Sequence, residues 1–239
     1  MQKNVEKVSI NYSPNFDLNK RSISKVKYIV FHYTGMKSEI AAIKRLTDKN
    51  SKVSCHYFIK RNGEIIKMVP DLYVAWHAGI SSWRKDNLLN SNSIGIEISN
   101  PGHKYGYKSF NLKQIRSIVI LSKFLKKKYK IKKENFLGHS DISPLRKKDP
   151  GEKFPWKLLY KKKLCLWHNI DEKSCKNYRK VKLHNNKNFY KLLFRFGYKF
   201  TNKSSEKIKI FKNFQRRFRP EVISSFVDKE CYVILKSLI

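Results

Sequence analysis

His32, Glu97, His139, Lys147 and Asp149 are the residues of this 239-residue chain whose types can together carry hydrolytic chemistry. Three of them fall in one dense stretch, GHSDISPLRKKDPGEKFPW (138–156), which gathers a histidine, two aspartates, a Pro-Gly break and a Phe-Pro-Trp ending. A hydrolytic zinc site takes three protein ligands and keeps a fourth position for water, whose pKa the ion lowers to roughly 7. His32 and His139 can offer imidazole nitrogens and Asp149 a carboxylate. A carboxylate nearby but unligated, such as Glu97, can take the water's proton and hand it to a leaving amine. A fixed cation, such as Lys147 two residues before Asp149, can stabilise an oxyanion. Each residue also has a plainer reading. A strand histidine is commonly a packed core residue, SDISP fits an ordinary turn, and a lone strand glutamate commonly faces solvent. Residue types and spacing leave both readings open.

The elements that must position these residues are legible as patterns. KYIVFHYT (27–34) is an apolar, β-rich run, a buried strand with His32 near its end. KSEIAAIKRLTD follows as a helix, with Ser38 as N-cap and Ile40, Ile43 and Leu46 at helical spacing. SCHYFIKRNGEIIKMVP reads as two strands joined at Asn62-Gly63. SIGIEIS (93–99) alternates, with Ile94, Ile96 and Ile98 on one side and Gly95, Glu97 and Ser99 on the other. Asn111 caps a longer helix whose Ile115, Ile118, Val119, Ser122 and Leu125 form its apolar face. Strands interleaved with helices indicate an α/β layer domain.

Hydrophobic residues at 41% and aromatics at 13% suffice for a core and argue against wholesale disorder. Lys+Arg 53 against Asp+Glu 18 leaves a net charge of +35. Such a charge raises nucleic acid, an anionic membrane or an acidic polymer as partner. Most of it is lysine, spread amid abundant Asn and Ile, a pattern that A/T-rich coding also produces, so charge alone selects no partner. The opening MQKNVEKVSINYSPNFDLNKRS lacks the apolar core of an export signal, and no stretch approaches a membrane span. That points to the cytoplasm, with the cell envelope as the alternative. Cys55, Cys165, Cys175 and Cys231 have no metal-knuckle spacing and read as reduced thiols; export would allow Cys165 and Cys175 to pair.

FHYTG, VSCHYFIKRNGEI, AWHAG, NSIGIEISNPG and GHSDISPLRKKDPGEKFPW, in that order, resemble the zinc-dependent N-acetylmuramoyl-L-alanine amidases of the AmpD/AmiD type, relatives of phage lysozyme-type amidases and peptidoglycan recognition proteins. The resemblance runs from about Ser13 to His168. It implies a mixed β-sheet flanked by helices, with a zinc site in a cleft. It also implies hydrolysis of the amide between N-acetylmuramic acid and L-alanine in peptidoglycan or muropeptides. Carried over residue by residue, it places zinc on His32, His139 and Asp149, the general acid/base on Glu97 and the catalytic lysine on Lys147. His56 and His77 become substrate contacts or supports of the site, and Lys52 matches a basic substrate contact of cytosolic relatives. Two departures stand out. SSWRKDNLLNSN does not align with the relatives' second arginine contact, and Cys55 replaces a tyrosine that phage-type relatives carry near the metal.

Residues 171–183 are polar and weakly patterned and read as a linker between an amidase domain (1–170) and a tail (184–239) of three short helices. The tail, and FQRRFRP (214–220) above all, resembles the small peptidoglycan-binding domain that follows such amidases. The competing functions are a non-catalytic peptidoglycan recognition module and a basic nucleic-acid binder using Arg216, Arg217 and Arg219. Intact candidate ligands speak against the first, and only charge speaks for the second, so no nucleic-acid partner is expected.

Overall fold

The computed structural model describes residues 8–199 and 203–239. Residues 1–7, part of the stretch read as lacking an export signal, and residues 200–202 of the tail lie outside them.

A mixed sheet forms the centre. Its strands are β1 (Val8–Ile10), β3 (Tyr28–Tyr33), β4 (Tyr57–Ile59), β5 (Ile65–Lys67), β9 (Ser93–Ile98) and β10 (Phe136–Gly138), in the order β1-β5-β4-β9-β3-β10. Only β4 and β5 pair antiparallel, joined through the turn at Asn62-Gly63; the other neighbours are parallel. Parallel strands need crossovers, and the helices supply them. Two small ribbons complete the strands, β2 (Phe16–Asp17) with β6 (Val74–Ala75) and β7 (Ser82–Trp83) with β8 (Asp86–Asn87).

Helix α1 (Glu39–Thr47) starts at Ser38, whose hydroxyl accepts from the Ala41 amide. It buries Ala42 and Leu46 against Phe58 and Met68. Ile40, expected on that face, is exposed instead, because it lies two residues, about 200°, round the helix from Ala42. Helix α2 (Leu112–Tyr129) begins with a capping box between Asn111 and Gln114. Its buried face is turned relative to the expected one: Gln114, Ser117, Ile118, Leu121, Ser122 and Leu125 go inward, while Ile115 and Val119 are partly buried. The small serines let backbone come close, and the Ser117 hydroxyl reaches the Gly63 carbonyl at 2.5 Å.

Short helices α3 (His139–Ile142), which carries the HSD of GHSD, and α4 (Trp156–Lys161) flank the loop 143–155. The segment 171–183, expected as a linker, contains helix α5 (Glu172–Arg179), started by Asp171 accepting from Ser174 and buried through Cys175. Three helices follow in the tail, α6 (Lys187–Phe196), α7 (Ser204–Phe218) and α8 (Lys229–Leu238). Their apolar faces join the sheet in one continuous core, with Phe196 and Tyr198 packed on the Trp83 ring. All four cysteines are buried free thiols. Among the described residues no helix is long and apolar enough to cross a membrane.

Candidate metal centre and active site

Strand register does most of the positioning. In the parallel pairing of β3 with β9, His32 lies opposite Glu97, so both side chains leave the same face of the sheet. His139 begins α3 immediately after β10, the neighbour of β3 on its other side. The loop after α3 then doubles back, with the Ser140 amide donating to the Asp149 carbonyl at 2.8 Å and the Lys147 amide to Ser143 at 3.0 Å.

Residues far apart in sequence therefore meet. His32 Nδ1 lies 2.9 Å from His139 Nδ1 and 3.2 Å from Asp149 Oδ2, and His139 Nδ1 lies 3.0 Å from that same oxygen. All three residues are buried.

Hydrogen bonds decide which nitrogen of each ring faces this point. The Leu89 carbonyl can only accept, so the Ser93 hydroxyl donates to it at 2.5 Å. Ser93 Oγ then accepts from His77 Nε2–H at 3.2 Å, which leaves His77 Nδ1 to accept from His32 Nε2–H at 3.1 Å. His32 Nδ1 is thereby left with its lone pair, aimed at Asp149. On the other side His139 Nε2–H donates to the Ala78 carbonyl at 3.2 Å, freeing its own Nδ1. The relay needs close approach at Gly95, where a Cβ would stand 2.3–2.6 Å from the His77 ring.

Burial, followed by the neighbouring His139, lowers the His32 pKa to about 4, so the ring is neutral in ordinary buffers. Two imidazole lone pairs and one carboxylate thus converge away from water, an arrangement that repels itself unless a cation joins it. The separations of 2.9–3.2 Å are tighter than the roughly 3.4 Å set by a tetrahedral ion with ligands about 2.1 Å away. The residues fit a divalent metal with three protein ligands.

Glu97 lies at the floor beside this point. Burial, with the Asp149 charge adding and Lys147 opposing, pushes its carboxyl up to about 8. Its Oε2 is buried with no hydrogen-bond partner among the described residues. His32, Glu97, His139, Lys147 and Asp149 all line one cleft of about 1150 Å³. Arg45, Arg146 and Lys148 line it too.

Residues 22–152 match the family described as N-acetylmuramoyl-L-alanine amidase. The N-acetylmuramoyl-L-alanine amidase AmiD of Escherichia coli is 34% identical over 246 residues, covering 90% of this chain and 83% of AmiD. This chain belongs to that amidase family. Its fold agrees with the structure of E. coli AmiD in complex with the substrate anhydro-N-acetylmuramic acid-L-Ala-D-gamma-Glu-L-Lys, at a TM-score of 0.80 and 32% identity over 93% of this chain and 91% of that one. A second similar structure is AmpDh3 from Pseudomonas aeruginosa in complex with anhydromuramic pentapeptide, with a TM-score of 0.79, 28% identity, and coverage of 99% and 96%.

The remaining expected site residues of this amidase-family chain separate. His77 lines the cleft as the middle of the relay. His56 is fully buried beneath it, accepting from the Gly95 amide at 3.0 Å and meeting Arg21 and the Tyr73 carbonyl, and so supports β9. Lys52 is exposed at a left-handed turn and is not among the residues lining the cleft, whereas Arg45 is. Ser93 escaped the sequence reading; its signal was a serine two residues before Gly95 on the face that carries Glu97.

FQRRFRP is turned inward rather than offered to a partner. The Arg217 guanidinium pairs with Asp141, donates to the Phe136 carbonyl at 2.8 Å and stacks over Trp156 at 4.5 Å. Arg219 pairs with Asp228 at 2.8 Å. Two of the three arginines of the nucleic-acid reading are thus consumed internally.

Proposed function

We propose that this enzyme is a zinc-dependent hydrolase that cleaves the amide between N-acetylmuramic acid and L-alanine in peptidoglycan or muropeptides. The observation that carries the reading is the convergence of His32 Nδ1, His139 Nδ1 and Asp149 Oδ2 beside Glu97 and Lys147 in one open cleft. When bound there, zinc supplies a Lewis acid that polarises a carbonyl and makes water nucleophilic near neutral pH. Glu97, an unligated carboxyl lining the cleft beside the three ligands, takes the proton of the attacking water and passes it to the leaving L-alanine nitrogen. The Lys147 ammonium holds the negative charge that develops on the former carbonyl oxygen. Arg45, Arg146 and Lys148 give the cleft a cationic rim for the carboxylates of a stem peptide.

The tail enters the same proposal as an anchor to the wall polymer, acting through its exposed face, since FQRRFRP is engaged inside. Inactive Glu97→Gln protein that stays in the supernatant with isolated sacculi would remove the anchoring role.

The function is tested by mass spectrometry of products from sacculi and from soluble anhydro-muropeptides, side by side. Release of L-alanyl peptides that stops on chelation and returns with zinc is the expected result. Zinc-loaded protein that binds both substrates and releases nothing is a recognition module instead.

A further inference from the structure

Helix α7 presents an apolar face to the rest of the protein through Ile210, Phe211, Phe214 and Phe218. Asn213 sits in that face, 2% exposed. A buried amide among apolar side chains is unfavourable unless its hydrogen bonds are made. Asn213 makes them across to the active-site loop. Its Nδ2 donates to the Pro144 carbonyl at 2.8 Å and to the Lys147 carbonyl at 3.0 Å, while its Oδ1 accepts from Arg216 at 2.8 Å.

Lys147 is thereby held at both ends of its backbone, by Ser143 at its amide and by Asn213 at its carbonyl. Arg216 extends the link to further residues of the cleft. It lies 3.5 Å from Glu152, which meets His103 Nε2 at 3.1 Å, and His103 Nδ1 meets the Tyr33 hydroxyl at 2.9 Å. Tyr33 and His103 line the cleft together with Lys147.

We infer that Asn213 is a positioning residue for Lys147, so that a helix of the tail completes the catalytic apparatus. The inference rests on the role proposed for Lys147. A lysine stem has four rotatable bonds, so its ammonium is placed reproducibly only if its backbone is fixed. Misplacing a catalytic group by about 1 Å can cost a hundredfold in rate.

The test is a double-mutant cycle in the full-length, zinc-loaded protein, with kcat and KM measured on soluble anhydro-muropeptide and rates referred to folded, metal-bound enzyme. Asn213→Ala removes both donors. Asn213→Asp keeps the shape and the Arg216 acceptor yet cannot donate, and it serves if the alanine variant folds poorly. Each is expected to lower kcat about 10- to 100-fold, with KM changed less than about twofold and one zinc retained. In a Lys147→Ala background the same changes should cost less than about twofold, because the group they act through is gone. A merely structural contact would instead lower thermal stability and leave kcat of the folded fraction unchanged, or lose activity multiplicatively with Lys147→Ala. Either result overturns the inference and leaves the Lys147 role standing. A Lys147→Ala enzyme at the parental rate sinks that role, and this inference with it.

Discussion

His32 and Glu97 are direct Cα partners across the parallel β3–β9 ladder, so one hydrogen-bonded pairing places an imidazole and a carboxylate side by side facing the cleft. The two are expected to separate on mutation. Glu97→Gln should lower turnover by about 10²–10⁴, the span of a lost general acid–base, while metal stays stoichiometric. Asp149→Ala should weaken metal binding itself by more than the 10- to 100-fold that loss of an outer partner costs. Metal titration against a competing chelator, run beside the activity assay, checks both. Equal metal loss in the two variants would make Glu97 a ligand.

Ser93 never approaches the candidate ion, yet its hydroxyl sets the direction of the whole relay to His32. Removing it lets His77 and His32 adopt the opposite tautomers. Ser93→Ala is therefore expected to weaken zinc binding about tenfold, in the range for outer-shell partners, with a smaller effect on the apoprotein's melting temperature. Unchanged affinity would mean that the rings are oriented by packing alone.

The elevated Glu97 pKa makes the metal-free protein pH-sensitive. A carboxyl at about 8 in the fold and near the ordinary 4.5 when unfolded keeps more protons in the native state throughout that interval. Stability then falls as pH rises between those values, since the unfolded carboxyl ionises freely while the native one stays protonated. Glu97→Gln abolishes this term. In chelator, the melting temperature of the variant minus that of the parent should be small at pH 5 and grow toward pH 8. A difference independent of pH would place the Glu97 pKa near its ordinary value.

Legibility in the sequence followed locality. Period-two alternation in SIGIEIS puts Glu97 on the face opposite the isoleucines, whereas its register against β3 is a long-range pairing that the alternation does not specify. The capped starts of α1 and α2 lie in residues a few positions apart. What escaped depends on contacts across long separations. Ile40 reads as core by spacing, but the face of α1 that meets the sheet is the one carrying Ala42 and Leu46, and Ile40 points away from it. The 171–183 stretch looks like a linker because its helix buries little beyond Cys175. FQRRFRP reads as a basic surface because charge is read without its partner, and Asp141 lies 76 residues from Arg217. A signal did exist. Asn213 and Arg217 stand at i and i+4 on the face that carries Ile210 and Phe214, where polar residues persist only with partners.

The same face yields the stability prediction. Arg217 and Asp141 are 2% and 1% exposed as side chains, and Asp141 also accepts from the Tyr198 hydroxyl at 2.5 Å and the Gly138 amide at 2.7 Å. Asp141 stands two residues after His139, so the pair clamps the tail to the helix that carries this candidate ligand. Arg217→Met leaves a buried carboxylate without its cation, which costs about 3–5 kcal/mol. In a protein of this size that lowers the melting temperature on the order of 10 °C. Adding Asp141→Asn removes the stranded charge, keeps its one oxygen for the Gly138 amide and turns its NH2 to the Tyr198 hydroxyl, which can accept, and should recover more than half of the loss. Calorimetry of the parent and the two variants decides the matter. A double variant as unstable as Arg217→Met would locate the cost in lost packing over Trp156 rather than in the charge pair.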